Sequence, residues 1–164
     1  MVYAAYCSSG AYKEIKTLEG DKLTLSFKKL NGKKIDFAKE FKVFVAAYRT
    51  VNGEDQLIAS TIKAHVVGDK AKKHTNAKSI SVEKSKYSVK KGKTVTISAT
   101  TTLVDPSKKQ LSSKHAPEFR YLSTDKSVAT VDNNGVVTGK KKGTCYIWIY
   151  SRNGLGIKVK VIVK

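Results

Sequence analysis

The chain has 164 residues and a mass of 18.0 kDa, room for one large or two small domains. Hydrophobic residues make up 40% and charged residues 27%, which supports a packed core and excludes a disordered tail. No apolar run approaches the ~18 residues of a membrane-spanning helix, and two cysteines are too few for a disulfide-dense miniprotein.

The net charge is +19 and almost all of it is lysine, since only Arg49, Arg120 and Arg152 are arginines. Lysine is a hydrated point charge, whereas bidentate contacts to phosphate and guanine use arginine. The charge therefore reads as a lysine-rich solvated surface and not as a specific nucleic-acid reader, the alternative being nonspecific attraction to polyanions such as anionic wall polymers, membranes or nucleic acid. No charged-apolar-small leader opens the sequence, and Met1 enters directly into strand-like residues.

Strand periodicity dominates from there on. Val2–Tyr6 reads as a strand, and Lys22-Leu23-Thr24-Leu25-Ser26-Phe27 alternates with Leu23, Leu25 and Phe27 on one face. Phe37, Phe41, Phe44 and Tyr48 recur at helical spacing behind Asp36, but Val43–Val45 is β-branched and aromatic. The reading is a short helical turn at 35–40 at most, then strand from Phe41. Asn52-Gly53 marks a hairpin between Val43–Tyr48 and Leu57–Ala59. The polar, aperiodic stretch 69–76 reads as a linker between a domain at 1–68 and a second at 77–164.

In the second half, Ser79–Val82 and Lys93–Ala99 alternate around a Lys90–Lys93 turn. Val128–Val131 and Val136–Thr138 flank Asp132-Asn133-Asn134-Gly135, and Thr144–Tyr150 turns at Asn153-Gly154 into Ile157–Val163. Turn signals roughly every ten residues define an all-β sandwich or barrel.

Catalytic chemistry finds no footing. His65, His74 and His115 are scattered, and no nucleophile elbow, HExxH or phosphate loop is present. Asp132–Gly135 lacks the later carboxylates of a calcium loop and reads as a turn. No metal or cofactor is expected, and neither is enzymatic activity. Lys70–Lys73 and Lys140–Lys142 read as solvated loops. Cys7 and Cys145 lie in different halves, so neither half closes its own disulfide. They read as small apolar strand residues, with a bridge between the domains left open.

Residues 77–164 resemble the bacterial Ig-like domain, group 2, found in intimin- and invasin-type adhesins. The match runs through Ile80-Ser81-Val82, Lys91–Ile97, Ser123–Val131, Asn134–Thr138 and Lys142–Ile147. Tyr121 stands where that family usually has a core tryptophan, and Leu103–Pro117 is longer than its simple pattern. Residues 1–68 resemble a fibronectin type III domain that begins late. Val2–Tyr6 would be its third strand, Leu23–Phe27 the strand before its Leu-x-x-Gly turn, and Phe41–Arg49 with Leu57–Val67 the final hairpin.

The resemblance implies two Ig-like β-sandwich domains in tandem, the first lacking its initial strands. It implies a non-catalytic extracellular or bacterial cell-surface module, part of a larger secreted protein, acting as spacer or in adhesion and protein interaction. Partners would be host or bacterial surface proteins, and an unpaired strand edge beside Leu23, Leu25 and Phe27 would favour a homodimer. The family's alternation buries Cys145, Ile147 and Ile149, which turns Tyr146, Trp148 and Tyr150 outward as the candidate ligand-binding face. Flanked by lysine, that face also fits an alternative role: binding carbohydrate or an anionic cell-wall polymer.

Overall fold

The computed structural model describes residues 1–22 and 24–164, with sixteen strands and no helix among them. The chain divides into two compact units, Met1–Thr75 and Asn76–Lys164.

In the first unit, β1 (Val2–Tyr6) pairs antiparallel with β2 (Lys13–Lys16) on one side and β5 (Glu40–Val51) on the other. β5 continues through a tight turn into β6 (Glu54–Ser60) and also pairs β7 (Ala64–Val67). The turn falls at Asn52-Gly53 as the sequence implies, with φ of 53° and 82° at its two residues. β3 (Lys29–Leu30) and β4 (Lys33–Lys34) form a small separate hairpin. The core here is modest: Ala4, Leu30 and Ile35, with Tyr6, Ile15, Phe27 and Val43 packed around them.

Two local expectations for this unit fare differently. The helical spacing behind Asp36 gives a single turn, with the Asp36 carboxylate accepting the Ala38 N–H (3.0 Å) before β5 begins. The expected strand at Lys22–Phe27 does not form over Thr24–Lys28, where no ladder is made; Leu23 lies outside the described residues. Leu25 and Phe27 are half-buried while Thr24 and Ser26 are exposed. The alternation there records burial of one face, and burial does not require a paired backbone.

The polar stretch after Gly68 is folded rather than extended. Lys70 and Ala71 donate backbone N–H groups to Phe37 and Gly68, Ala71 is buried, and His74 meets Glu40 at 3.0 Å.

The second unit contains β8 (Ala77–Val82), β9 (Lys86–Val89), β10 (Thr94–Thr96), β11 (Ala99–Leu103) and β12 (Phe119–Ser123). It continues with β13 (Ala129–Val131), β14 (Val136–Gly139), β15 (Gly143–Ser151) and β16 (Gly156–Val163). One sheet runs β12-β15-β16-β9, with β9 parallel to β16; β10-β14-β13 and β11-β8 form the others. Ile147 and Ile149 of β15 and Val159, Val161 and Val163 of β16 alternate inward and are buried with Ile97 and Val137. That is the alternation expected of Cys145–Tyr150.

Turn chemistry explains the polar motif residues of this unit. Asp125 Oδ1 accepts the Ser127 N–H (2.9 Å) and hydroxyl (2.6 Å), and the Ser123 hydroxyl donates to the Ala129 carbonyl (2.7 Å). The Ser127 hydroxyl and N–H hold the Asp125 carboxyl below its ordinary range. Asp132 likewise accepts the Asn134 and Val136 N–H groups, so Asp132–Gly135 is a turn built around its own carboxylate.

Candidate interaction surface

β15 carries Tyr146, Trp148 and Tyr150 on the outer face of its sheet because Cys145, Ile147 and Ile149 claim the inner one. Register sets what lies beside them. Across β16, Tyr146 faces Lys160, Trp148 faces Lys158 and Tyr150 faces Gly156. On β12, Leu122 is opposite Trp148 and Arg120 is opposite Tyr150.

The three rings form one continuous file. Trp148 and Tyr150 stack with centroids 5.6 Å apart and planes 15° apart. The Lys158 ammonium sits over both Tyr146 (5.0 Å) and Trp148 (5.7 Å), an attraction worth about 0.5–1 kcal/mol at an exposed site. Gly156 makes the arrangement possible: a Cβ there would lie 2.7 Å from the Tyr150 ring, so the missing side chain lets the ring rest on the sheet. Tyr146 and Leu122 are exposed, at 39% and 47%, and Trp148 and Tyr150 are half-buried. The product is an apolar, aromatic strip with lysine along one border.

Sequence alone pointed to the three aromatics but not to Lys158, Gly156 or Leu122. Counting outward from a two-residue turn at Asn153-Gly154 would place Val159 opposite Trp148; the observed register is shifted by one residue and brings Lys158 there instead. A second cluster, in the first unit, gave no local signal. Tyr3 stacks on Phe44 (4.8 Å), Tyr12 meets Phe44 edge-on (4.9 Å), and Lys42 lies over Tyr12 (4.7 Å). Its members come from three segments that only the sheet brings together.

Both cysteines are free thiols. Burial in the second unit's core pushes the Cys145 thiol up. Cys7 Sγ lies 3.6 Å from His65 Nδ1. Burial, with the Glu40 carboxylate second, pushes its thiol up from 9.0 to about 11. The folded thiol thus keeps its proton beyond the unfolded value, so its contribution to stability is full below pH 9.0 and is lost as pH rises toward about 11. At pH 8 the thiolate fraction is about 100-fold below that of the unfolded chain, partly offset by the greater nucleophilicity of a more basic thiolate. Iodoacetamide should therefore alkylate native Cys7 at least about tenfold more slowly than in denaturant. Peptide-resolved mass spectrometry checks this, and rates within about threefold of each other would contradict it.

The bacterial Ig-like domain (group 2) family matches residues 76–161, just over half of the sequence, and the chain belongs to that family. No curated protein matches it. Among solved structures it is similar to an intimin mutant from EHEC O157:H7, at 19% identity over 46% of this chain and 34% of that one, TM-score 0.35. It is also similar to the S-layer protein rSbsC, at 21% identity over 77% of this chain and 16% of that one, TM-score 0.46. Domains 4 and 5 of SbsC give 20% identity over 76% and 63%, TM-score 0.45. This chain spans less than two thirds of each of those chains.

Proposed function

We propose that the chain is a non-catalytic module of a bacterial surface protein, serving as spacer and protein-contact element. Its contact surface is the strip Tyr146-Trp148-Tyr150 with Leu122 and Lys158. Membership of the Ig-like family supports the surface-module part of this reading. The observation that carries the contact part is the strip itself: two tyrosines and a tryptophan share one sheet face beside the exposed Leu122, and such aromatics are the residues enriched at the centre of protein interfaces.

Carbohydrate stacking is the less favoured use of the same face. A pyranose packs on an open ring face, and here Trp148 and Tyr150 face one another while Lys158 lies over Trp148 and Tyr146.

Beads coated with the chain, applied to intact bacterial and epithelial cells, separate the two. Retention that is protease-sensitive, glycosidase-insensitive and reduced at least about tenfold by Trp148→Ala is the expected result. Retention abolished by glycosidase would replace this reading with the carbohydrate one. Retention indifferent to Trp148→Ala would remove the strip as the contact surface.

A further inference from the structure

We infer that the first unit associates with a second copy of this chain by strand addition, β6 of one copy pairing with Thr24–Lys28 of the other. The acceptor is a segment with strand chemistry and no strand partner. Thr24–Lys28 alternates exposed and half-buried residues, yet among the described residues it enters no ladder. Its last residue, Lys28, accepts the Ile35 N–H (3.0 Å). Beside it lies a largely apolar groove of about 370 Å³, lined by Val2, Leu18, Leu25, Phe27, Val43 and Val45 together with Lys22. Unpaired backbone next to apolar side chains is the arrangement that captures an extended strand, because main-chain bonds supply affinity and alternate side chains fill the groove.

The donor is the free edge of the same unit. β6 ends its sheet, pairs only with β5, and is exposed along its whole length. Leu57 and Ile58 are 59% and 62% exposed. Edge strands are normally guarded by charge, above all lysine. In a chain of net charge +19, Glu54–Ser60 contains no lysine or arginine and carries Glu54 and Asp55. It is the one strand of net negative charge among those described.

Charge selects the partner. Most of this lysine-rich surface repels a second copy, but the acidic end of β6 suits the Lys28-Lys29 end of the acceptor. An antiparallel register with Leu25 opposite Leu57 sets Lys28 against Glu54, turns Leu57 to the groove side and leaves Asp55 opposite Phe27. Opposite charges facing each other across a strand pair are stabilising, and like charges destabilising.

Sedimentation equilibrium on the full chain, from about 5 to about 500 µM, should show reversible association. Two charge-swapped chains test the pairing, all four positions being exposed. One carries Glu54→Lys and Asp55→Lys, the other Lys28→Glu and Lys29→Glu. Each alone sets like charges together and is expected to associate at least about tenfold more weakly than the original chain. Their mixture restores opposite charges at both contacts and is expected to recover association. Leu57→Lys tests the donor edge without touching those charges, because Leu57 shares the groove face with Leu25 in this register, and should weaken association to a similar degree. Circular dichroism confirms that each variant folds. A monomer throughout the range would overturn the inference. So would a mixture no tighter than its components, or association unchanged by Leu57→Lys.

Discussion

Replacing Gly135 by alanine is expected to lower the melting temperature of the second unit by about 15–25 °C, the shift that a loss of about 3–4 kcal/mol gives a domain of this size. Two costs combine. Gly135 has φ of 78°, in the left-handed region that residues with a Cβ enter reluctantly. An added Cβ would also lie 2.6 Å from the Ile97 carbonyl oxygen and 2.9 Å from the Tyr121 ring, closer than either contact permits. Ile97 is tied to the same residue, its N–H donating to the Gly135 carbonyl (2.9 Å) where the β10–β14 pairing ends, and Tyr121 packs on the core, so neither neighbour retreats freely. Gly92 supplies the control. Its φ is 76° but nothing lies within 4 Å of its added Cβ, so Gly92→Ala isolates the conformational cost at about 1 kcal/mol. Trp148 is the single tryptophan and belongs to the second unit, so its emission during heating reports that unit. Equal melting temperatures for the two variants would show that close approach to Tyr121 is not what Gly135 provides.

The Gly135 contact also gives a physical meaning to Tyr121, which stands where the Ig-like family usually has tryptophan. The ring is partly buried against the core and reaches over the one residue of the Asp132–Gly135 turn that has no side chain. Desolvation, followed by the Glu118 and Asp132 carboxylates, pushes its phenol up, as expected for a hydroxyl held near a core.

What the sequence made legible follows from how much each signal constrains. Alternation along Cys145–Tyr150 placed every residue on the correct face because β15 is paired on both sides, and pairing locks the period of two. The same alternation at Lys22–Phe27 correctly set Leu25 and Phe27 on one face but wrongly implied a ladder over Thr24–Phe27. Side-chain pattern reports burial, and pairing depends on a neighbour contributed from elsewhere in the chain. Asn52-Gly53 was reliable for a local reason, since the turn's own φ values demand those residues. Lys158 over Trp148 was not visible, because a cation–π contact between strands depends on register, which a single strand does not encode. Arg152 was the least legible of all: a charged residue after a strand gives no sign that it will be buried.

Arg152→Ala is expected to release the long loop between β11 and β12 and to destabilise the second unit by about 2–4 kcal/mol. The side chain is 6% exposed, unusual for a guanidinium. Its Nε donates to the Ala116 carbonyl at 2.8 Å, and its Nη1 donates to the Leu111 carbonyl. One rigid planar group thus ties two points of the loop to the end of β15, and Leu111 and Ala116 are buried beside it. Burial is also what lowers the Arg152 pKa, so the charge is held at a desolvation cost that the two carbonyls offset. Alanine removes that cost together with both bonds and leaves two carbonyls facing a void. Their cheapest recourse is to turn outward to water, which means the loop lifts off. Lysines 108, 109 and 114 lie in that loop, so brief trypsin digestion should cut there first, well before the original chain is cut. Arg152→Met separates packing from hydrogen bonding, because methionine restores volume without donors. If the bonds hold the loop, Arg152→Met is cut at the same lysines as Arg152→Ala; protection equal to that of the original chain would mean that the side chain's bulk alone does so.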